Sequence, residues 1–485
     1  MTRSAEPRVL FDSEELRRAL GTERAPNVAG PRSYTSVSTD SRTLGAGALF
    51  VALPGERREG AEFLAEAARR GAVGAVVPPG REAPELDLEW FPSPEPLRVL
   101  GDLAAWHRQR SRARVVGITG SSGKTTVKEM VAAVLSQGRR VHRTAGNRNS
   151  LVGLPLTIFE APPEADAWVL ELGASLPGEI ARLTAIASPD DAVVTSVGPA
   201  HLEAFESERR VLREKLALVE GAAADGAVVV GERPADLVRE ARLLRPDTRV
   251  AGLASGADYR PERFGVEAEG VWFERDGTVY RVPAGGEHHL RDALIAAALG
   301  EALGAPPGEI AAGLAAFRPL GMRSSLRRYG SLIVLADCYN ANPESFGAAI
   351  EYLRTAFPDR RLAAVVGTML EMGEHEETAH REVLEHLVGA GFDLIAATGA
   401  FEEVIPSRPG SRNGTRFLAA GDAEEIWEDL IASLEGDEVL LVKGSRGVRL
   451  ERIVERLEAL FGEREEEASP GPAEPAGRAE RPRGE

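Results

Sequence analysis

Two blocks of the chain alternate short apolar runs with helical stretches, and this rhythm limits the fold more than any other feature. From residue 113 onward the order is "VVGIT", "KTTVKEMVAAVLSQ", "AWVLEL", "GEIARLTAIA" and "DAVVTSV". From Met322 it is "SLIVLADCY", "SFGAAIEYLRTAF", "RLAAVVGTM", "AHREVLEHLVGAG", "DLIAATG", "EEIWEDLIASLE" and "DEVLLVKG". Apolar strands separated by helices predict βαβ units around a buried parallel sheet. The second block has the rhythm of a doubly wound, Rossmann-like domain. Ahead of both, "ALFVAL" and "GAVGAVVP" surround the helical stretch "AEFLAEAARR", and the amphipathic "PLRVLGDLAAWHRQRSR" follows, which together read as a small α/β domain. The expected division is therefore 1–112, 113–321 and 322–463. The remaining residues, 464–485, are charged and rich in Pro and Gly without apolar periodicity, and are expected to form a disordered tail. A length of 485 residues agrees with about three domains.

The segment "GITGSSGKTTVKEM", residues 117–130, joins a strand to a helix through a glycine-rich turn. Unpaired N–H groups and partial positive charge at a helix N-terminus make such a turn a phosphate site. Gly120 and Gly123 permit close backbone approach, with Ser121, Ser122 and Thr126 completing the phosphate-contacting stretch, which the family resemblance described below makes an ATP site. Lys124 is placed to reach the terminal phosphates, and the Thr125 hydroxyl to reach Mg²⁺. The strict Walker pattern requires Gly at position 118, where this chain has Ile118. Other metal ligands are expected at neighbouring strand ends. Glu171, at the end of "AWVLEL", and His201, after "VVTSVGPA", fit that position. "HEETAH" resembles a zincin motif, but its histidines are one residue too far apart to share a metal on one helix face.

Charge and composition remove several other classes. The formal net charge is −17, which opposes binding to a polyanion such as nucleic acid. No run of about 18 apolar residues is present, so no membrane span is expected. Cys338 is the single cysteine and the N-terminal stretch lacks an apolar signal core, so the default location is cytoplasmic.

"LADCYNANPESFGAAIEYL", residues 335–353, carries the decisive resemblance. With "GITGSSGKTTVKEM", "TAGNRNSLVGLPLTIF", "ELGAS", "AHLEAF", "GTMLEMGEHEETAH", "VLLVKGSRGVRLERIV" and "STDSRTLGAGALFVALPGER", in order from about residue 38 to about 460, it resembles the Mur ligase family. Its motifs resemble the branch that adds D-alanyl-D-alanine to UDP-N-acetylmuramoyl-tripeptide. The resemblance implies an ATP-dependent amide ligase of peptidoglycan precursor assembly, monomeric and working through an acyl phosphate. It implies Thr125 and Glu171 as ligands of one Mg²⁺ and His201 as a ligand of a second. Lys215, in "RVLREKLAL", stands where the family has a lysine carboxylated by CO₂, which would add an anionic oxygen ligand.

The resemblance further implies that Arg323 in "GMRSS" reaches the γ-phosphate and that Asp337 contacts the ribose. Asn340 and Tyr339 would line the nucleotide side, and His288 would lie near the adenine. Asn147 and Asn149 would face the sugar and peptide of the substrate, while Ser38, Asp40, Ser41 and Arg42 would hold its uridine diphosphate end. These roles, spread over several domains, imply domain closure. The chain departs from the family pattern at several points. His289 and Asp292 replace two asparagines, Ala336 one of two aspartates, and Ser196 and Ser150 two further asparagines. The donor and acceptor pattern of His and Asp differs from that of an amide. Two alternatives stay open: a divergent Mur-type ligase with another amine, and a phosphate-loop regulatory NTPase, against which the chain lacks the base-reading N-K-x-D motif.

Overall fold

A computed structural model describes residues 8–21, 32–55, 58–198, 202–405 and 414–461. The expected tail lies outside the described residues. The chain forms two compact units: Met1–Pro283 with Glu287–Arg318, and Ala284–Gly286 with Pro319–Glu485. Three parallel-sheet bodies, two in the first unit and one in the second, give the α/β architecture expected.

In the first unit, a small sheet pairs Ser36–Ser38, Ala48–Val51, Ala72–Val77 and Glu89–Pro92 in that order, all parallel. Helix Pro96–Gln109 leaves this sheet and packs on helices Gly153–Glu160 and Glu179–Ala187 of the central body. The expected boundary at 112 falls in the turn after that helix, yet one core runs across it, from Phe11 and Leu49 through Leu100 and Leu103 to Val115 and Trp168. Buried Glu89 closes the edge of the small sheet. It accepts from Ser13 Oγ at 2.5 Å and Tyr34 OH at 2.7 Å and pairs with Arg17.

The central sheet runs Arg249–Ala251, Val228–Gly231, Asp191–Val194, Arg114–Thr119, Ala167–Glu171, Val141–Arg143, with every pair parallel. Its buried strands are apolar because helices cover both faces. Strand Arg114–Thr119 is first in sequence but lies in the middle, between Asp191–Val194 and Ala167–Glu171. Connections therefore leave it in both directions, and a crevice opens beyond the carboxyl ends of these three strands.

A three-stranded antiparallel sheet, Arg263–Glu267, Gly270–Arg275 and Thr278–Val282, was not anticipated. Its strands are half-exposed and rich in charge, so they lack the apolar run that marks a buried strand. The available signal was Asp276-Gly277, whose φ angles of 49° and 72° suit a tight hairpin turn.

In the second unit, Ser325–Tyr329 pairs antiparallel with Leu332–Asp337, and the rest of the sheet is parallel: Val439–Lys443, Leu362–Val366, Leu394–Thr398, Arg416–Ala420. The unit begins at Pro319, three residues before the expected start at Met322. From Leu332 its alternation follows the sequence reading except at Arg416–Ala420, a half-exposed edge strand that the reading did not contain.

Helix Pro307–Ala316 packs on helix Lys124–Leu135 so closely that a Cβ at Gly313 would strike the Val134 backbone. Backbone cannot yield as a flexible side chain does. Gly313→Ala is expected to destabilise the first unit by about 1–3 kcal/mol, seen as a lower calorimetric midpoint; an unchanged midpoint would show that the two helices can separate freely.

Candidate active site

The glycine-rich turn lies at the crevice. Gly120 (φ 153°) and Gly123 (φ 81°) adopt backbone conformations that other residues rarely reach. A Cβ at Gly120 would collide with Thr195 Oγ1, and one at Gly123 would lie 2.5 Å from Asp292 Oδ1. The turn is fastened to the segment following strand Asp191–Val194. Ser121 N–H donates to Ser196 O at 2.8 Å, and Thr195 Oγ1 donates to Ser122 O at 2.5 Å. Ser196 Oγ accepts from Ser122 N–H at 3.3 Å, and Ser121 Oγ donates to Gly198 O at 3.0 Å. Ser196, a departure from the family pattern, thus serves the loop directly. Lys124 Nζ donates to Gly120 O and Ser121 O at 2.8 and 3.1 Å, so its cation lies across the turn. Helix Lys124–Leu135 has no side-chain cap among the described residues, and Thr125 and Thr126 occupy its first turn. Uncapped N–H groups, a cation and a tight turn together suit a phosphate chain.

Thr125 Oγ1 donates to Glu171 Oε1 at 3.2 Å, and both side chains are buried. Asn149 Nδ2 donates to the same oxygen at 2.8 Å. Glu171 Oε2 has no hydrogen bond among the described residues and lies 3.6 Å from Lys128 Nζ. Lys128 is fully buried. Its ammonium donates to Thr144 O at 2.7 Å and Gly146 O at 3.2 Å, and pairs with Glu129 at 3.0 Å. Asn149 is therefore anchored on Glu171, whereas Asn147 is exposed. No cluster of three or more His, Cys, Asp or Glu side chains able to hold a metal occurs among the described residues. A buried carboxylate oxygen without a donor, beside a threonine hydroxyl, nevertheless fits Mg²⁺, which takes few protein oxygens and completes its shell with water and phosphate.

Lys215, on helix Glu208–Gly221, is buried, and no carboxylate lies within ion-pair distance among the described residues. Burial pushes its ammonium down to about 7, and the nearby Lys124 cation acts in the same direction. His201 lies outside the described residues. His288 and His289 open helix Glu287–Ala302 with ring centroids 4.1 Å apart, and Asp292, one turn on, abuts Gly123. In "HEETAH", buried His380 accepts from Met369 N–H at 2.8 Å, and its other nitrogen contacts Glu376 O at 2.6 Å. It is a satisfied core histidine, in keeping with the rejection of zinc.

In the turn after Ser36–Ser38, Arg42 pairs twice with Asp40, at 2.9 and 2.7 Å, and holds that carboxyl at about 2. Ser38 Oγ donates to Asp40 O at 3.0 Å. Ser41 points inward and donates to Glu66 at 2.9 Å. In the second unit, Asp337 Oδ1 accepts from Ser324 N–H at 3.0 Å and Oδ2 pairs with buried Lys443 at 2.5 Å. Lys443 also donates to Asn340 O at 3.2 Å. Arg323 lies over the Tyr339 ring, its guanidinium carbon 3.5 Å from the centroid.

Comparison with known proteins matches the chain to three family models: the Mur ligase family catalytic domain over residues 33–108, the Mur ligase middle domain over 118–300, and the Mur ligase glutamate ligase domain over 322–446. It is 35% identical over 432 residues to the UDP-N-acetylmuramoyl-tripeptide--D-alanyl-D-alanine ligase of Escherichia coli, covering 87% of this chain and 93% of that protein. The chain belongs to the Mur ligase family. Among solved structures, MurF from Acinetobacter baumannii superposes with a TM-score of 0.83 at 26% identity, over 92% of this chain and 98% of that one. MurF ligase from Thermotoga maritima, solved in complex with ADP, gives 0.78 at 30% identity, over 88% and 98%.

The sequence of this Mur ligase did not mark Lys128 and Thr195, which fasten the loop and strand end of the first unit, or Lys443, which fastens the turn after Asp337 in the second. Lys128 had a signal, since it follows Lys124 by four residues and so shares its helix face. Lys128→Met removes a buried cation from two carbonyls and two carboxylates, and should lower stability by about 3–5 kcal/mol. A thermal midpoint in Lys128→Met equal to that of the parent would show that these contacts contribute nothing.

Proposed function

We propose that this Mur ligase catalyses ATP-dependent formation of an amide bond between the terminal carboxylate of UDP-N-acetylmuramoyl-tripeptide and the amine of D-alanyl-D-alanine. The observation that carries the reading is a likeness to ligases of that name spanning nearly their whole length, not one domain alone. The chemistry of the site agrees. A carboxylate is a poor electrophile because oxide would have to leave, so the γ-phosphoryl group of ATP is first transferred to it and ADP departs. The amine then attacks the acyl carbon, inorganic phosphate leaves, and the amine proton is lost to solvent or a base.

In this reading the loop N–H groups and Lys124 hold the phosphates, and Arg323 meets charge on the transferred phosphoryl group. Asp337 has an oxygen engaged on each side, but a carboxylate offers about four acceptor positions, so a ribose hydroxyl still finds one. Thr125 and Glu171 would hold Mg²⁺, which supplies charge neutralisation on the phosphate oxygens. Asp40 and Arg42 present a charge-balanced turn for the uridine diphosphate end, with Ser41 supporting it from beneath. No helix among the described residues is long and apolar enough to cross a membrane, which suits a reaction on nucleotide-linked precursors in the cytoplasm.

Lys215 is assigned as the carboxylated lysine. Its amine is largely neutral above about pH 7, and the neutral amine is the form that adds CO₂. The resulting carbamate turns a buried amine into an anionic oxygen ligand. With ¹³C-bicarbonate at fixed dissolved CO₂, a carbamate resonance should grow as pH rises through about 7 and be missing in Lys215→Arg; its absence at pH 8 in the parent protein would remove the assignment.

Phosphate release from ATP should require the UDP-tripeptide and D-alanyl-D-alanine together, with the amide product seen by mass spectrometry. Release with neither substrate would point to a regulatory NTPase, and turnover with another amine to a different acceptor.

A further inference from the structure

The buried ammonium of Lys128 stands between two carboxylates and serves them unequally. It lies 3.0 Å from Glu129 Oε1 and 3.6 Å from Glu171 Oε2. An ammonium has three N–H donors. Two go to Thr144 O at 2.7 Å and Gly146 O at 3.2 Å, so the carboxylates compete for the third. Glu129 is the nearer, and Glu171 Oε2 is left without a hydrogen bond among the described residues.

Local structure maintains the imbalance. Lys128 and Glu129 are consecutive in helix Lys124–Leu135, so their side chains leave it about 100° apart. Glu129 turns toward the edge strand Val141–Arg143, where Arg143 Nε donates to its other oxygen, Oε2, at 2.8 Å. Glu171 is fixed independently: its N–H donates to Thr144 Oγ1 at 2.9 Å, and its Oε1 accepts from Thr125 and Asn149. Both carboxylates are thus anchored, and the ammonium, on its flexible four-carbon stem, is the member able to move.

We infer that Glu129 is a positioning residue: by drawing Lys128 toward itself it keeps Glu171 Oε2 open to Mg²⁺. This rests on the reading of Thr125 and Glu171 as Mg²⁺ ligands. Without Glu129, the released N–H has Glu171 Oε2 as its carboxylate partner, and a small rotation of the stem closes 3.6 Å to ordinary hydrogen-bond length. An oxygen engaged in that way gives up a lone pair, and an ammonium in contact with it repels a divalent cation. The negative charge of Glu129 also offsets the same repulsion, so both effects of its removal have one sign. Arg143 stands on the other side of the balance. It takes up part of the Glu129 charge, and its loss leaves Glu129 to hold Lys128 more firmly.

The test measures binding of the β,γ-imido analogue of ATP to the full chain by calorimetry, with saturating Mg²⁺ and in EDTA. In the parent, Mg²⁺ should raise the affinity, and Glu171→Gln should remove most of that gain. Glu129→Leu should cut the gain about 10-fold, the size of one charged hydrogen bond, with affinity in EDTA within about 2-fold of the parent. Glu129→Gln, whose single carbonyl oxygen must serve two cations, should fall between. Arg143→Ala should leave the gain at the parent's level or above, whereas a merely structural role for this cluster lowers it in both variants. In crystals of metal-free Glu129→Leu, Lys128 Nζ should lie within about 3 Å of Glu171 Oε2. Thermal midpoints verify folding, and Glu129→Gln carries the comparison if Glu129→Leu is unstable. A gain in Glu129→Leu equal to the parent's, an equal loss of affinity with and without Mg²⁺, or an unmoved Nζ overturns the inference. A parent that gains nothing from Mg²⁺, or a gain that Glu171→Gln leaves intact, takes down the Mg²⁺ reading and this one with it. A gain lost in Glu171→Gln but kept in Glu129→Leu sinks this inference alone.

Discussion

The ammonium of Lys128, wholly out of solvent, is the contact on which the first unit's site depends. It joins three segments distant in sequence: the helix after the phosphate loop, the stretch from Thr144 to Gly146, and the end of strand Ala167–Glu171. An isolated buried cation would be prohibitively costly, and two carbonyls with two carboxylates offset that cost. The consequence is positional. The carbonyls fix where the chain leaves toward Asn147 and Asn149, and Asn149 then aims Glu171. At 3.6 Å, Lys128 balances the charge on Glu171 Oε2 without occupying it, so the oxygen keeps its lone pairs for another cation.

The second unit repeats the device with a different emphasis. Buried Lys443 lies beneath Asp337, again at the carboxyl end of a parallel strand, but the contact is a close ion pair at 2.5 Å. With Ser324 on its other oxygen, Asp337 is held far more tightly than Glu171. Its task in the fold is to organise the turn bearing Arg323, Tyr339 and Asn340. One carboxylate is thus poised and the other is braced, although both looked alike as acids ending apolar strands.

The difference shows what a sequence can and cannot reveal. Parallel strands buried on both faces leave continuous apolar runs, so Arg114–Thr119, Ala167–Glu171 and Asp191–Val194 in one large sheet and Leu332–Asp337, Leu362–Val366, Leu394–Thr398 and Val439–Lys443 in the other were legible, as was the phosphate loop, whose glycines meet a steric demand that no other residue satisfies. The sheet spanning residues 263–282 was not, because half-exposed strands mix charge with apolar residues and only the Asp276-Gly277 turn marked it. Lys128 and Lys443 were passed over because half of their partners are backbone carbonyls, which any sequence supplies, and the rest are carboxylates that only the folded register brings alongside. Ser41 and Asn149 were grouped with ligand contacts by motif, yet Ser41 faces Glu66 and Asn149 faces Glu171. A motif shows that a residue type is needed at a position; which way the side chain points depends on register and packing.

The charge around the phosphate loop then determines how a nucleotide can be held there. The chain is acidic overall, and with a Debye length of about 8 Å at physiological ionic strength its distant charges neither attract nor repel a nucleotide strongly at the loop. Close in, Lys124 is the loop's own cation, and it is opposed by the Asp292 carboxylate packed against Gly123 and by Glu171. Carboxylation of Lys215 would remove a further potential cation and add an anion. Polyanion binding in such surroundings cannot rest on a broad positive field. It must come from short-range contacts such as the aligned N–H groups of the turn, and these require the backbone to be fixed within a fraction of an ångström. The hydrogen bonds that Ser121 and Ser122 exchange with Thr195 and Ser196 supply that fixity, so a loop departing from the strict Walker pattern is still held in a geometry suited to a phosphate chain.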